Sequence, residues 1–425
     1  MEKFQPECTR NSSCATILQQ SKEIGYLSQK NPSLPSEIIT EILSRLPVKS
    51  LLKFMCVSKE WLSLISSPEF IKIHLKIASN DPNFTRHRIM FTISEPRFNL
   101  KNCSLRSFLY EPSTDAVKIV YPGRNPRTFV RVVGSCNGLI CIAITENDFI
   151  LWNPSVRKYK KLPNVDVVMK PRLCIQYGFG FDEANEDYKV VGIFGRYENL
   201  GRYKTVVKVY SLKNDSWRRI ENFKGGTPIH DMGKFVNGKL HWLASPRTVH
   251  TSSRWDIVSL DVEREIYGTV EQPNYGEADF SAVMLGVLGG CICVLCNYEK
   301  TCADVWVLKD YGVKESWTKV VSIPYIDEPG KYVSSIPLCI LLNGEVLLAL
   351  GSSFVVYNPK ENSFRFPNIS NGGKTRKGLR LMLPSLLYQH DGGSTTNIGR
   401  KLVCGLEGSS GGILAERMWW MSYLK

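Results

Sequence analysis

Residues 34–75 read LPSEIITEILSRLPVKSLLKFMCVSKEWLSLISSPEFIKIHL, and this stretch carries the signals of several short helices. Apolar residues recur at helical spacing after Pro35. Pro47 ends the first of these helices, because proline lacks an N–H and clashes with the preceding turn. Ser58 and Ser67 can cap later segments with their side-chain oxygens. The pattern therefore predicts a small helical module in this part of the chain.

The apolar side chains of this stretch exceed what so short a segment can bury. Full burial of one large aliphatic side chain is worth roughly 1.5–3 kcal/mol, and about forty residues rarely form a stable core alone. The surplus surface must pack either on the rest of the chain or on a partner. The first interpretation is an ordinary helical core, and the second is a docking module.

Residues 34–76 resemble an F-box, the motif that binds the Skp adaptor of Skp–cullin–F-box ubiquitin ligases. The matching residues follow one another in the order of that motif: Leu34, Pro35, Glu37, Ile38, Ile42, Leu43, Arg45, Leu46, Pro47, Ser50, Leu51, Val57, Lys59, Trp61, Ile65 and Phe70. Lys53 and Met55 stand where plant members often carry Arg. The resemblance implies an adaptor-facing set of residues: Leu34, Pro35, Ile38, Ile42, Leu46, Pro47, Leu51, Leu52 and Val57. Trp61 and Leu64 fit either the core or that interface.

Length and composition set the outer limits. The chain has 425 residues, enough for two domains or one large one. It contains no run of eighteen apolar residues, so we expect no transmembrane helix. Residues 1–33 are polar, lack the apolar core of a signal peptide and are predicted to be a disordered leader. The 13 cysteines are therefore expected to be reduced thiols in the cytoplasm or nucleus.

The net charge of the chain is +14, spread over strand ends and turns without a dense basic block. This charge is either a solvated basic surface or a preference for acidic partners. A nucleic-acid binder driven by phosphate contacts is a further class. We disfavour it, because the basic segments lack an array of aromatic residues on which bases could stack.

A repeat organises the rest of the chain. Strand-ending anchors recur at intervals of 42, 58, 50, 48 and 49 residues: Tyr110, Trp152, Tyr210, Leu260, Leu308 and Tyr357. Each anchor is followed by a polar turn and then by an aromatic or apolar residue, usually seven positions later. This spacing predicts two antiparallel strands joined by a short turn.

A second strand pair precedes most of these anchors. Three of the pairs carry Asn-Gly, at residues 137–138, 237–238 and 343–344, which is a strong hairpin signal. Each unit therefore has four strands and about fifty residues, as in the blades of a kelch-type β-propeller. The sequence predicts six blades. Seven is the alternative, because residues 379–388 and 400–408 are further strand-like pieces.

Residues 133–369 also resemble a known domain, the plant F-box-associated domain. The resemblance rests on the segments CNGLICI, LWNPSVRKYKKLP, YGFGFDEANEDYKVVGIF and KVYSLKNDSWRRI. The wider family includes S-locus F-box proteins of pollen and immune-regulating F-box proteins. The two resemblances imply an α+β multidomain chain. Its parts are the leader at 1–33, a three-helix F-box at 34–76, a linker and lead-in at 77–104, and an all-β propeller at 105–425.

The motifs that could carry out chemistry are incomplete in this sequence. The loop before Lys374 lacks the first glycine of a phosphate-binding loop. Cys291, Cys293 and Cys296 have no second paired cluster and are better interpreted as buried thiols than as a zinc site. His241, like His230, has no nucleophile at a readable spacing. The sequence therefore predicts no catalytic residue, cofactor or metal.

The two resemblances imply a non-catalytic substrate receptor. The F-box would dock the Skp adaptor, which brings a cullin and a RING protein. The propeller would hold a protein target for ubiquitination and degradation. An alternative is a Skp-bound interaction module that acts without a cullin.

Target specificity is expected in loops of the propeller, at residues 124–127, 196–204, 245–254 and 325–331. Basic side chains in these loops favour an acidic target and form the predicted target-binding set: Arg124, Arg127, Arg196, Arg202, Lys204, Arg247 and Arg254. The alternative is that these loops are only solvated.

Overall fold

The computed structural model describes most of the chain after the predicted leader. The described residues are 34–93, 99–121, 130–167, 174–197, 203–229, 232–245, 255–275, 282–298, 301–325, 335–350, 353–370 and 385–388. The chain divides into two compact units, Met1–Ser44 and Arg45–Lys425. The leader predicted at 1–33 lies outside the described residues.

Four helices occupy most of residues 36–79. They are α1 (Ser36–Ser44) in the first unit, and α2 (Val48–Phe54), α3 (Lys59–Ile65) and α4 (Pro68–Ser79) in the second. The Ser58 hydroxyl accepts a hydrogen bond from the amide of Trp61 at 3.2 Å. The Ser67 hydroxyl accepts one from the amide of Phe70 at 3.1 Å. These caps satisfy amides that the first turn of a helix leaves unpaired. They account for the start of α3 and of α4.

Six antiparallel sheets follow, and each is called a blade. Blade 1 contains β1 (His87–Ile93), β2 (Asn99–Ser104), β3 (Val117–Lys118) and the C-terminal β25 (Ser385–Tyr388). Blade 2 contains β4 (Arg131–Cys136), β5 (Leu139–Ala143), β6 (Phe149–Asn153) and β7 (Lys158–Lys161). Blade 3 contains β8 (Cys174–Asp182), β9 (Asp187–Tyr197), β10 (Tyr203–Ser211) and β11 (Ser216–Ile220).

The remaining blades repeat this plan, with one exception in blade 4. Blade 4 contains β12 (Thr227–Pro228), β13 (Lys234–Val236), β14 (Lys239–Ser245), β15 (Asp256–Asp261) and β16 (Tyr267–Val270). Its two short strands, β12 and β13, share the innermost position because both pair with β14. Blade 5 contains β17 (Ala282–Leu288), β18 (Cys291–Tyr298), β19 (Cys302–Leu308) and β20 (Trp317–Pro324). Blade 6 contains β21 (Ser335–Ile340), β22 (Val346–Leu350), β23 (Ser353–Asn358) and β24 (Ser363–Arg365).

The outer hairpins confirm five of the six predicted anchors. The anchors pair across the third and fourth strands of their blades, as Trp152 with Tyr159, Tyr210 with Trp217, Leu260 with Tyr267, Leu308 with Trp317 and Tyr357 with Phe364. The prediction for Tyr110 is wrong. This residue ends helix α5 (Leu105–Tyr110), which begins where the Ser104 hydroxyl caps the amide of Ser107. In blade 1 a helix therefore lies between the third and fourth strands, at the position where the repeat predicted the end of a strand.

The inner hairpins follow the Asn-Gly signal at two of its three positions. Asn137 and Gly138 have φ of 51° and 80°, and the same pattern occurs at 237–238. Positive φ at both central residues is the signature of the two-residue turn whose twist matches the flanking strands. At 343–344 only Gly344 has positive φ, at 88°. There the turn is longer, and the Leu341 amide donates to the Glu345 carbonyl at 2.8 Å.

The C-terminal strand β25 closes the ring of blades. It pairs antiparallel with β1, and His87 lies opposite Tyr388. Residues 385–388 belong to a piece that the sequence offered as part of a seventh blade, and here they complete blade 1. The prediction of six blades is thus confirmed. The second such piece, at 400–408, lies outside the described residues.

Apolar cores between neighbouring blades hold the ring together. Blade 6 packs on blade 1 through Phe354, whose ring centroid lies 5.6 Å from Phe91 and 5.1 Å from Phe108. All three rings are buried. Edge-to-face pairs of this kind add about 0.5–1.5 kcal/mol to the burial of their area. The junction that joins the first and last blades is therefore a well-packed core.

Strand direction assigns every connection to one of two faces. The innermost strands contact one another in turn, from β25 to β4, β8, β13, β17 and β21. Successive strands of a blade are antiparallel, so first-to-second and third-to-fourth turns share one face, the hairpin face. Second-to-third turns and links between blades share the other, the crossover face. The chain arrives from α4 at the start of β1, a second strand, and so reaches the propeller at the hairpin face.

The segment predicted as linker and lead-in, 77–104, contains β1 and β2. Both belong to blade 1, so the first sheet begins at His87. The predicted start of the propeller at 105 falls at the junction of β2 and α5.

Candidate adaptor and target surfaces

Helix α1 presents an aliphatic face to solvent. Ile38 and Ile42 lie four residues apart, so they occupy the same side of the helix. They are 45 % and 49 % exposed, and Leu34, just before the helix, is 56 % exposed. Glu37 and Glu41 are also exposed. A single exposed isoleucine is ordinary, but an aliphatic row on one short helix is surface that a partner can cover.

The members of the predicted adaptor-facing set that lie in the second unit differ in accessibility. Val57, which follows α2, is 61 % exposed. Leu46, Pro47 and Leu52 are half-buried. Leu51 departs from the prediction, since it is completely buried and offers no surface to a partner. It is a core residue, whereas its neighbour Leu52 is only half-buried.

Buried groups hold the helices of the second unit in place. His74 on α4 is buried, and its Nε2 lies 3.0 Å from the carbonyl oxygen of Leu46. Because a carbonyl only accepts hydrogen bonds, this ring nitrogen is the donor. Burial lowers the pKa of His74, which favours the neutral ring. The sequence reasoning missed this residue. The four-residue spacing from the buried Phe70 is the signal that could have found it.

The strand ends that flank the predicted target loops lie on one face of the propeller. Segments 196–204 and 245–254 join second to third strands, and segments 124–127 and 325–331 join one blade to the next. The strand ends that they connect all lie on the crossover face, opposite the face where α4 leads into β1. Which of these segments touches a target stays a prediction.

Two members of the predicted target-binding set are described. Arg196 and Lys204 lie opposite each other across β9 and β10, at the crossover-face end of blade 3. The others lie outside the described residues: Arg124, Arg127, Arg202, Arg247 and Arg254. The described part of the set is therefore one pair of basic residues on neighbouring strands.

The buried cysteines of β18 are poorly suited to bind a metal. Cys293 and Cys296 are buried in β18, and burial raises the pKa of both, that of Cys296 to about 12. These thiols are protonated and poor metal ligands at neutral pH. Within the described ranges no group of three or more metal-ligating side chains comes together. The loop before Lys374 and His230 lie outside those ranges.

None of the described helices is both long and apolar enough to cross a lipid bilayer.

His241 forms a buried link between blades 4 and 5. Its Nδ1 lies 3.1 Å from the Lys234 carbonyl oxygen, so Nδ1 carries the proton. Its Nε2 then accepts the hydroxyl of Tyr311 at 2.7 Å. Burial is the main cause that lowers the pKa of His241 to about 4, and the nearby charge of Lys239 acts in the same direction. The neutral ring satisfies both neighbours.

Acid is expected to destabilise the protein through His241. The ordinary pKa of histidine is about 6.5, so between that value and about 4 the unfolded chain binds a proton that the folded ring does not. Stability is therefore lost as the pH falls through this window, by about 2–3 kcal/mol from pH 7 to 4.5. Urea unfolding at both pH values, for the wild type and for His241→Gln, measures this difference. An equal pH dependence in both proteins would contradict the assignment.

Comparisons with known proteins agree with this architecture. A family profile described as an F-box domain matches residues 32–73. A second, described as an F-box associated beta propeller domain, matches residues 83–386. An F-box/kelch-repeat protein of Arabidopsis thaliana is 33 % identical over 365 residues, covering 84 % of this chain and 96 % of that protein. The F-box protein CPR1 of Arabidopsis thaliana is 31 % identical over 317 residues, covering 68 % of this chain and 73 % of that protein.

Proposed function

Since this chain belongs to the F-box proteins that carry an F-box-associated β-propeller, we propose that it is the substrate-recognition subunit of a Skp–cullin–F-box ubiquitin ligase. F-box domains bind Skp1-type adaptors. The observation that carries the proposal is the exposed aliphatic face of α1, formed by Ile38 and Ile42 within the matched F-box. Val57, in the second unit, is a further exposed aliphatic residue of that domain.

The chemistry of docking follows from these side chains. Covering an exposed isoleucine removes apolar surface from water, at roughly 25 cal/mol for each Å². A few such residues, surrounded by contacts that exclude water, carry most of the energy of a typical interface. The adaptor would therefore take the exposed aliphatic residues Leu34, Ile38, Ile42 and Val57 and the half-buried residues Leu46, Pro47 and Leu52.

In the proposed complex the chain makes and breaks no bond. The adaptor would bring a cullin, and the RING partner of the cullin would bring the ubiquitin-charged conjugating enzyme. The propeller would hold a protein target at its crossover face. A target lysine kept near the thioester reacts faster, because proximity replaces a bimolecular encounter. The basic pair Arg196 and Lys204 suits an acidic surface on that target.

The proposal places the protein in the cytoplasm or the nucleus. Every cysteine in the described ranges is a free thiol, which suits a reducing compartment.

Replacement of Ile38 and Ile42 by Asp is expected to abolish adaptor binding. Each change removes an aliphatic contact worth roughly 1.5–3 kcal/mol and puts a charge in its place, so the affinity should fall at least about a hundredfold. The measurement is co-purification and calorimetry of the full chain with a Skp-type adaptor and a cullin. Both residues are already exposed, so the fold should persist.

Ile266→Asp is the matched control, because this isoleucine is 62 % exposed but lies at a turn of the propeller. It should bind the adaptor like the wild type. Recovery of neither adaptor nor cullin with the wild type would overturn the proposal. Recovery of the adaptor without a cullin would replace it with a Skp-bound interaction module.

A further inference from the structure

Blade 5 contains a cleft whose lining residues have no role assigned above. It is an open cleft with a volume of about 550 Å³, lined by Asn274, Tyr275, Tyr298, Cys302, Asp304, Trp306 and Lys319. Cavities of this size hold small ligands or single side chains. The lining combines three aromatic rings with one acidic and one basic group.

The cleft opens toward the crossover face. Tyr298 ends β18 and Cys302 begins β19, so both lie at the second-to-third turn of blade 5. Asn274 and Tyr275 lie in the link from blade 4 to blade 5, which belongs to the same face. The cleft is therefore on the side of the propeller where the target is expected.

A buried carboxylate forms the polar end of the cleft. The side chain of Asp304 is 8 % exposed. Its Oδ1 accepts a hydrogen bond from the hydroxyl of Ser322 at 2.5 Å, and its Oδ2 lies 3.2 Å from the Nζ of Lys319. A carboxylate removed from water needs a cation close by. In this structure Lys319 supplies it.

One aromatic ring lies beside that cation, and a second ring packs on the first. The Nζ of Lys319 lies 5.8 Å from the centroid of the Trp306 ring. The Tyr275 ring stands edge-on to Trp306, with centroids 5.9 Å apart and an interplanar angle of 85°. The faces of aromatic rings attract cations, and clusters of such rings bind ammonium groups in proteins. Lys319 thus occupies a site built for a cation.

Lys319 is a replaceable occupant. Its side chain is 47 % exposed, and it comes from the outermost strand of the blade, β20. Because water reaches this ammonium, solvent screens its attraction to Asp304 and weakens the ion pair. The ammonium of Lys319 can therefore turn to water when another cation reaches Asp304.

We propose that this cleft binds an arginine or lysine side chain of the target, which displaces Lys319 from Asp304 and lies against Trp306. The inference rests on the proposed function, because the occupant is taken to be a protein target held at the crossover face. It deepens that function by assigning one specific contact. A basic side chain here is compatible with acidic residues elsewhere on the target, near Arg196 and Lys204.

Removing the ammonium of Lys319 tests the proposal, because this change is expected to raise the affinity for a basic peptide. The probes are fluorescently labelled, capped tripeptides with a central Arg, Lys or Glu, titrated into the full chain and followed by polarisation. Lys319→Gln should bind the Arg or Lys peptide about three- to tenfold more tightly than the wild type, because the competing ammonium is gone. Asp304→Asn should lose this binding. The Arg and Lys peptides together show which cation is preferred.

Lys314→Gln is the matched control. Lys314 is a half-exposed lysine before β20 that pairs with Glu271 at 3.1 Å, outside the cleft. This change should leave peptide affinity unaltered. Melting curves identify any variant that unfolds, and Lys319→Gln keeps the test informative should Asp304→Asn unfold.

Two outcomes would overturn the inference. One is that neither the wild type nor Lys319→Gln binds a basic peptide. The other is that the wild type prefers the Glu peptide and loses it in Lys319→Gln, since the cleft would then bind anions through that lysine. Adaptor binding by Lys319→Gln should equal that of the wild type, so failure of this inference is distinguishable from failure of the proposed function.

Discussion

Truncation of the chain after residue 370 is expected to abolish the folded propeller. The truncated chain lacks β25, which pairs with β1 at four positions from His87 to Met90. Each lost backbone hydrogen bond leaves a group unpaired, at roughly 1–3 kcal/mol where water cannot replace the partner. Ile89 and Met90 are buried in β1 and belong to two different apolar cores. The loss therefore approaches the whole stability of a domain, about 5–15 kcal/mol.

The measurement is soluble yield, followed by circular dichroism and thermal unfolding of whatever is recovered. A chain truncated after residue 392 is the control, because it keeps all four paired residues. It should be soluble and show strand content, whereas the shorter chain should aggregate through the exposed edge of β1. A soluble, cooperatively melting protein ending at 370 would show that blade 1 does not need its C-terminal strand.

The sequence predicted the outer hairpins well because their pairing is local. Tyr210 and Trp217 lie on either side of one short turn, so a seven-residue spacing is enough to identify them. The contribution of β25 to blade 1 is different. His87 and Tyr388 are separated by nearly the whole propeller, and no local pattern joins them. The repeat also failed at Tyr110, because the cap at Ser104 starts a helix before the expected strand.

Local sequence spacing likewise predicted only part of the candidate sites. Helical spacing placed Ile38 and Ile42 on one face of a helix, and both are exposed. Spacing did not separate Leu51 from Leu52, because which of two adjacent leucines is buried depends on packing between helices. The cleft at Asp304 was invisible for a similar reason. Strand alternation puts Asp304 and Trp306 on one side of β19, but Tyr275 arrives from the preceding blade.

Lys189→Ala is expected to lower the free energy of unfolding by about 3–5 kcal/mol, far more than other lysine substitutions. Lys189 lies in β9, and its Nζ is 2.8 Å from the Oδ2 of Asp182, which is fully buried. The same Nζ donates to the Val262 carbonyl of blade 4 at 2.5 Å. Although burial raises the pKa of Asp182, hydrogen bonds from Lys189 and Asn185 outweigh it and lower the pKa overall. The variant would leave a buried carboxylate without its cation.

Glu265 would keep a cationic partner in the Lys189→Ala variant. It lies 3.5 Å from Lys189 but also pairs with Arg218, which would remain in the variant. The expected loss is therefore assigned to Asp182 and to the link with Val262. Adding Asp182→Asn to Lys189→Ala removes the unpaired charge, so the double variant should recover part of the stability.

Lys161→Ala is the matched control, because Lys161 also pairs with an aspartate, Asp148, at 3.0 Å but is 61 % exposed. An exposed pair contributes about 1 kcal/mol or less, so this variant should unfold close to the wild type. Urea unfolding at neutral pH measures all three variants. Equal losses for Lys189→Ala and Lys161→Ala, or a double variant less stable than Lys189→Ala, would contradict the view that Lys189 serves chiefly to neutralise Asp182 between blades 3 and 4.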